Sequence, residues 1–299
     1  MSDIDIFASN GQDLPVTERH DIYAGIQPSK FHGSLAGKVV FVTGASRGIG
    51  AATARAFAQS GASVFLAARK IATLEDVKNG IDKDFPGAKV AYYPTDVVKA
   101  EEVKAAVEEC IKAFGKIDIV ISNSGAAENI RTLAQAEPDN WWWTWEVNVR
   151  GNFNVTHYTL PHLVKTHGYL IYVTSVGAQY IMPGLSAYQS TKHVLNRLAE
   201  FVLAEHDGDV KVFSFHPGGV KTEMSEAAGP EILKYCIDDV QLPAWTMVRL
   251  VQGEEDYLSG RFVSANWDLD EVLSQWKEPI VRDDALKNKL TVPKELHRK

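Results

Sequence analysis

The sequence predicts an α/β fold in which one doubly wound, mostly parallel sheet is covered by helices on both faces. Two observations carry that expectation. Short β-branched runs alternate with longer helical patterns along most of the 299 residues, which is βαβ repetition. The runs are apolar throughout, without polar alternation, as strands buried on both faces require.

The elements follow in order. Residues 1–35 mix Asp, Pro, Gly, Ser and His without a period and read as an irregular extension that lies over the domain or is partly mobile. A single domain is expected over 36–265, with no linker or internal repeat to divide it. Its strands are expected at 39–43 (VVFVT), 63–68 (SVFLAA), 89–93 (KVAYY), 117–122 (IDIVIS), 169–175 (YLIYVTS), 210–215 (VKVFSF) and 261–265 (RFVSA). The first helix should end near Ser60, and helices should fill the other gaps. Within 266–299 a short amphipathic stretch, LDEVLSQW, precedes a polar tail carrying Lys287, Lys289, Lys294, Arg298 and Lys299 against Glu295. That tail reads as a solvated end rather than a partner-binding arm.

Composition narrows the function classes. With 45% hydrophobic and 23% charged residues the chain is that of an ordinary globular protein. A net charge of −7 argues against a nucleic-acid surface, which needs clustered Lys and Arg. Cys110 and Cys236 are the only cysteines, so neither a disulfide framework nor a metal site is expected. No signal pattern or membrane-length apolar run is visible, and the expected compartment is the cytoplasm.

Between the first strand and first helix runs Thr43-Gly44-Ala45-Ser46-Arg47-Gly48-Ile49-Gly50. Glycines there let the backbone turn tightly and approach a pyrophosphate, which the helix N-terminus then faces. The spacing fits the general G-x-G-x-x-G fingerprint only loosely, and a glycine turn without a ligand is the alternative. The second strand ends in Ala68 and Arg69, where NAD-selective folds commonly place an acid for the ribose 2′-hydroxyl. Arg69, with Arg47 in the glycine loop, suits a 2′-phosphate, so NADP(H) is expected over NAD(H); the alternative is that both arginines merely decorate the surface.

Tyr188 and Lys192 stand one helical turn apart, and Ser175 precedes them. An ammonium on the same face favours the phenolate and can turn a phenol into an acid–base group. Alone, the spacing is one that chance produces easily.

The order of these motifs closely resembles the short-chain dehydrogenase/reductase family over about residues 36–265. That resemblance implies a Rossmann-type domain and a catalytic tetrad of Asn148 (in EVNVRG), Ser175, Tyr188 and Lys192. The family's N-N-A-G appears as Ser122-Asn123-Ser124-Gly125, with two serines substituted. Asn123 and Gly125 are therefore expected beside the cofactor, with Asp96 and Val97 near adenine. Pro217, Gly218, Val220 and Thr222, in the family's P-G-x-V-x-T, are expected at the nicotinamide end. Cofactor binding thus falls to Gly44, Ser46, Arg47, Gly48, Ile49, Gly50, Arg69 and these residues, together with Tyr188 and Lys192. Tyr188 would exchange a proton with the substrate oxygen, Lys192 would lower its pKa and hold the ribose, Ser175 would orient the substrate, and Asn148 would hold a water.

Each tetrad residue has a bland reading: Ser175 can end a strand, Asn148 can cap or kink its helix, and Tyr188 can be a core aromatic. The family builds its substrate pocket from Gln179, Tyr180, Ile181 and Met182 and from the segment 223–245 with Met224, Tyr235 and Trp245. Those residues favour an apolar or aromatic ketone, aldehyde or alcohol, although they can equally pack a lid. Trp141 and Trp145 share a helix face and read as core or subunit packing. The extension and the EDYLSGRFVSANWD segment look like those of fungal members, and a homodimer or homotetramer is implied. A reductase of 3-oxoacyl thioesters and a catalytically silent dinucleotide-binding protein remain the alternatives.

Overall fold

The computed structural model describes residues 13–206 and 208–290. The first twelve residues and 291–299, with the tail residues Lys294, Glu295, Arg298 and Lys299, lie outside the described residues.

Seven strands form one parallel sheet: β1 (Val39–Thr43), β2 (Ser63–Ala68), β3 (Val90–Pro94), β4 (Ile119–Ser122), β5 (Tyr169–Val173), β6 (Lys211–His216) and β7 (Arg261–Ser264). Their order is 3-2-1-4-5-6-7, so the chain reverses direction across the sheet between β1 and β4. In such sheets the crevice at that reversal, at the carboxyl ends of the strands, is where ligands bind. Several strand ends differ from the expected ones by one or two residues. Residues such as Thr174 and Ser175 continue the apolar run but turn out of the ladder, because Ser175 starts a 3-10 turn over Val176–Ala178.

Neighbouring side chains of a strand serve opposite cores. Val40 and Val42 belong to one apolar cluster, Val39 and Phe41 to the other, which explains why the strands show no polar alternation. The first cluster packs under α1 (Gly48–Gln59), α2 (Ile71–Asp84) and α9 (Gln241–Leu250). The second packs under α3 (Ala100–Phe114), α5 (Asn152–Thr166) and α6 (Ser186–Glu205). In α3 the buried residues are Val103, Ala106, Val107 and Cys110, an i, i+3, i+4, i+7 stripe. Glu101 and Glu102 face its N-terminal dipole, and Gly115 at φ 80° ends it in the left-handed region. The remaining helices are α4 (Pro138–Trp145), α7 (Glu223–Ala228), α8 (Pro230–Leu233), α10 (Leu269–Glu271) and α11 (Lys277–Arg282).

Residues 13–35 are built into this core. Tyr23, Ile26, Phe31 and Leu35 are buried in the first cluster, and Phe31 stacks on Trp245 of α9 with ring centroids 6.2 Å apart. Trp245 is only 2% exposed. Its assignment to the substrate pocket is therefore corrected: the helix it rides on is buried from Leu242 to Leu250, and the indole fills the core under the extension.

A buried charge cluster pins the extension to the C-terminal part. Arg249 Nε donates to Glu255 Oε1 at 2.8 Å. Its Nη1 donates to Asp270 Oδ1 at 2.6 Å and to the Gly25 carbonyl at 3.3 Å. Arg249 is 3% exposed and Glu255 fully buried, and burial holds the Glu255 carboxyl above its ordinary pKa. Removing one member strands the other charge in a dry site. Arg249→Ala is expected to lower unfolding free energy by about 3–5 kcal/mol, read by equilibrium denaturation.

Candidate active site

The loops at the carboxyl ends of β1, β4, β5 and β6 carry the motif residues. After β1 the chain turns through Gly44 and Gly48, both at positive φ (63° and 51°), a region that favours glycine. A Cβ on Gly50 would collide with the Gly44 carbonyl, so α1 begins as close to β1 as a backbone permits. No side chain caps α1 at Arg47, leaving its leading N–H groups free of a side-chain cap. That bare turn fits an anionic pyrophosphate. Thr222 lies against Gly48, its Cγ2 3.4 Å from where a Cβ would stand.

Arg47 pairs with Glu223 of α7 in an exposed ion pair. The guanidinium is thus turned toward a carboxylate rather than standing free for a ribose phosphate. Arg69 is exposed just beyond β2. After β3, Asp96 Oδ1 accepts the Val98 N–H at 3.1 Å, and the carbonyl of buried Val97 accepts from Asn154 Nδ2 at 2.9 Å.

The loop after β4 is tied on both sides. Asn123 Nδ2 donates to the Thr43 carbonyl at 3.0 Å, and Thr43 Oγ1 accepts the N–H groups of Asn123 and Ser124 at 3.0 and 3.1 Å. Ser122, substituted for the family's asparagine, donates to Asn152 Oδ1 at 2.6 Å. Asn152 Nδ2 in turn donates to the Asn148 carbonyl at 2.7 Å, so the substitution is absorbed by a buried polar chain.

Asn148 lies in a π-helical segment, Glu146–Gly151, between α4 and α5. Wide π turns of this kind recur at functional sites. Its side chain accepts from Ala126 N at 2.8 Å and donates to Ala126 O at 2.8 Å and Thr191 Oγ1 at 2.9 Å. The amide staples the β4 loop to α6.

Ser175, Tyr188 and Lys192 come together between β5 and α6. Ser175 acts on the Tyr188 phenol and lowers its pKa, and Ser175 Oγ accepts the Gly177 N–H at 3.0 Å. Lys192 Nζ lies 5.6 Å from the Tyr188 ring centroid and donates to the Val173 carbonyl at 2.7 Å. A Cβ on Gly125 would stand 3.3 Å from Lys192 Nζ and 3.4 Å from Asn148 Oδ1, so Gly125 leaves the space the tetrad occupies. Burial raises the Tyr188 pKa, with the Ser175 hydrogen bond opposing it. The expected net lowering of the Tyr188 pKa is not what the structure gives: desolvation sets the direction upward. Burial also lowers Lys192 to about 8.

The pocket residues divide. Tyr180 is close enough to Tyr188 and Tyr235 to be influenced by both, and Met224 Cε comes 3.9 Å from the position of a Gly125 Cβ. Gln179 and Met182 are half-buried, whereas Ile181 is 89% exposed. Trp141 and Trp145 do share a face, their centroids 5.5 Å apart, and Trp141 Nε1 donates to Ser186 Oγ at 3.0 Å.

Two acids escaped the motifs. Glu128 accepts the first N–H groups of α6. Asp238 holds the loop after β6: its Oδ2 accepts from Gly219 N at 2.6 Å and Asn266 Nδ2 at 3.0 Å, and its Oδ1 meets His20 Nδ1 at 2.6 Å. Pro217, Gly218, Val220 and Thr222 belong to the loop so held, and Gly218 at φ 81° lies against the Asp238 carboxylate. Among the described residues no group of His, Cys, Asp and Glu could hold a metal ion, and no helix is long and apolar enough to cross a membrane.

Comparison with known proteins agrees with this geometry. Residues 38–232 match the family model described as short chain dehydrogenase, and the chain belongs to that family, an oxidoreductase class. A short chain dehydrogenase of Monascus purpureus is 38% identical over 265 residues, covering 86% of this chain and 89% of the relative. Among solved structures, an alcohol dehydrogenase from Thermococcus sibiricus complexed with 5-hydroxy-NADP is 27% identical with a TM-score of 0.66, covering 76% of this chain and 95% of that one. A 3-ketoacyl-(acyl-carrier-protein) reductase from Brucella melitensis complexed with NADH is 26% identical with a TM-score of 0.70, covering 77% and 97%.

The buried ammonium has a measurable consequence. With a folded pKa of about 8 against 10.5 for a free lysine, the unfolded chain binds the extra proton between those values, so stability rises with pH across that window. Lys192→Met removes the titration. Without added dinucleotide, its stability relative to wild type is expected to be greatest below pH 8 and to fall by about 3 kcal/mol by pH 10.5, read by denaturation at a series of pH values.

Proposed function

We propose that the protein is an NADP(H)-dependent carbonyl reductase or alcohol dehydrogenase acting on an apolar or aromatic ketone, aldehyde or the corresponding alcohol. The observation that carries this reading is the half-buried Tyr188 with Ser175 acting on its phenol, with Lys192 one turn away and the bare glycine turn of α1 on the same edge of the sheet.

Gly44, Ser46, Arg47, Gly48, Ile49 and Gly50 would hold the pyrophosphate, and Asp96, Val97, Asn123 and Gly125 would line the path to the nicotinamide end. The loop of Pro217, Gly218, Val220 and Thr222 would close that end. When bound, the dinucleotide supplies or accepts the hydride. Tyr188 Oη gives its proton to the carbonyl oxygen in reduction and takes it back in oxidation. Ser175 Oγ donates to the same oxygen and fixes its direction. Lys192, held on the Val173 carbonyl, brings a positive charge beside the phenol and favours its ionised form as proton transfer proceeds. Tyr180, Met224 and Tyr235 form the apolar side where the substrate's carbon skeleton lies.

NADP(H) is favoured because β2 ends in Ala68 with exposed Arg69 following, leaving no acid to repel a 2′-phosphate. Arg47 would join by exchanging Glu223 for the phosphate. A carrier-bound 3-oxoacyl substrate is less well matched. Lys221 and Lys234 beside the entrance are already paired with Glu226 at 3.5 Å and Glu231 at 2.7 Å, so little free positive charge faces an acidic carrier. A homodimer or homotetramer through α4, α5 and α6 is supported by Trp142, Phe153 and Phe201, which stand 54–60% exposed on those helices. The reading places the protein in the cytoplasm.

Tyr188→Phe is expected to bind NADPH normally, by fluorescence titration, while kcat falls about 10²–10⁴-fold in a screen of aromatic ketones, aldehydes, quinones and 3-oxoacyl thioesters. Tight binding with no turnover of any of these by wild type would favour a silent binding protein. Wild type is expected to show higher kcat/KM with NADPH than with NADH, and Arg69→Asp to reduce that ratio about 10–100-fold. An NADH preference in wild type would overturn the cofactor assignment.

A further inference from the structure

Helix α6 begins without a capping side chain at Leu185, yet the N–H groups of its second and third residues are satisfied. Glu128, on the loop after β4, reaches across: Oε1 accepts the Ala187 N–H at 2.7 Å and Oε2 the Tyr188 N–H at 2.8 Å. Those partners are 59 and 60 residues further along the chain. The carboxylate is 6% exposed, so it is not a surface charge that happens to lie near a helix end.

We propose that Glu128 is a positioning residue for Tyr188: its two-pronged grip on the first turn of α6 fixes where the phenol stands, and its charge sets how readily that phenol ionises. The proposal rests on the reading of Tyr188 as the acid–base group. One carboxylate oxygen binds the backbone N–H of Tyr188 itself, so displacement of Glu128 is transmitted to the phenol without an intervening residue. The neighbouring position is also held, since Trp141 Nε1 donates to Ser186 Oγ at 3.0 Å. Ser186, Ala187 and Tyr188 are thus each fixed from outside the helix. The loop that carries Glu128 is itself fastened, at Ala126 by Asn148 and at Arg131, whose N–H donates to the Gly184 carbonyl at 3.1 Å.

A carboxylate at this place also cancels part of the helix N-terminal dipole that would otherwise favour phenolate. Its negative charge acts to raise the Tyr188 pKa, alongside Cys236, while the Ser175 hydrogen bond lowers it. The other charged or titratable groups facing the phenol are Lys192 and Tyr180. Those facing Glu128 are Arg131 and Glu137, which line a cavity of about 140 Å³ with it. Glu128 and Lys192 therefore press on the phenol in opposite senses from opposite ends of one turn.

The test is an ultraviolet difference titration of the Tyr188 phenolate in NADP⁺-saturated protein. Each protein is read against its own Tyr188→Phe counterpart, for wild type, Glu128→Gln and Glu128→Asp. Glu128→Gln removes the charge and, because an amide nitrogen cannot accept an N–H, one of the two prongs; ionisation is expected to move down by about one pH unit. Glu128→Asp keeps the charge at shorter reach; ionisation should stay within a few tenths of wild type, while kcat falls about tenfold or more. Far-ultraviolet circular dichroism confirms that both variants fold. Identical ionisation in Glu128→Gln and wild type overturns the proposal, as does undiminished kcat in Glu128→Asp. Failure to bind NADP⁺, or turnover that survives Tyr188→Phe, instead counts against the reading of the site itself.

Discussion

The six residues from Asn123 to Glu128 hold the site together. Asn123 binds the backbone at the start of the glycine turn, Ala126 is gripped on both its N–H and its carbonyl by Asn148, and Glu128 closes on the first turn of α6. Three elements far apart in sequence are brought into register by this one loop. A parallel sheet makes that possible, because all its carboxyl ends open on the same edge. Side-chain hydrogen bonds to backbone then fix what the sheet has only gathered.

The chemistry is set against stability. Lys192 is buried and Tyr188 half-buried, and desolvation disfavours the charged form of each. A phenol held neutral and an ammonium held near its titration range are costly for the fold but convenient for passing a proton. Serine at 122 and asparagine at 152 show the complementary tactic: where a polar group is buried for structural reasons, every donor in the chain from Ser122 to Asn148 finds an acceptor.

How much of this the sequence discloses depends on the range of each contact. The strands are legible because a fully buried strand has to be apolar on both sides, and the glycine turn because its backbone cannot accept other residues. The tetrad is legible as ordered motifs. Glu128 and Asp238 are not: each acts on backbone distant in sequence, and a single acid in a loop carries no period. Trp245 misleads for a related reason. It follows closely on the lid segment, but the helix bearing it is buried from Leu242 to Leu250, a stretch whose mostly apolar residues are a sign of core. The extension hides its packing because Tyr23, Ile26, Phe31 and Leu35 reach the core from short turns without helical or strand spacing.

That extension imposes an order on biosynthesis. Glu18 bridges to Trp267, Arg19 pairs with Asp268, His20 meets Asp238, and Gly25 lies under Arg249. Every one of these partners is made more than two hundred residues later. Residues 18–25 thus find their places only after residues 238–268 have been made, and until they dock, the apolar surface around Trp245 and the loop held by Asp238 both lack their cover. A chain cut before Asp238 therefore carries the earlier motifs of the family without the clasp between Asp238, His20 and Gly219.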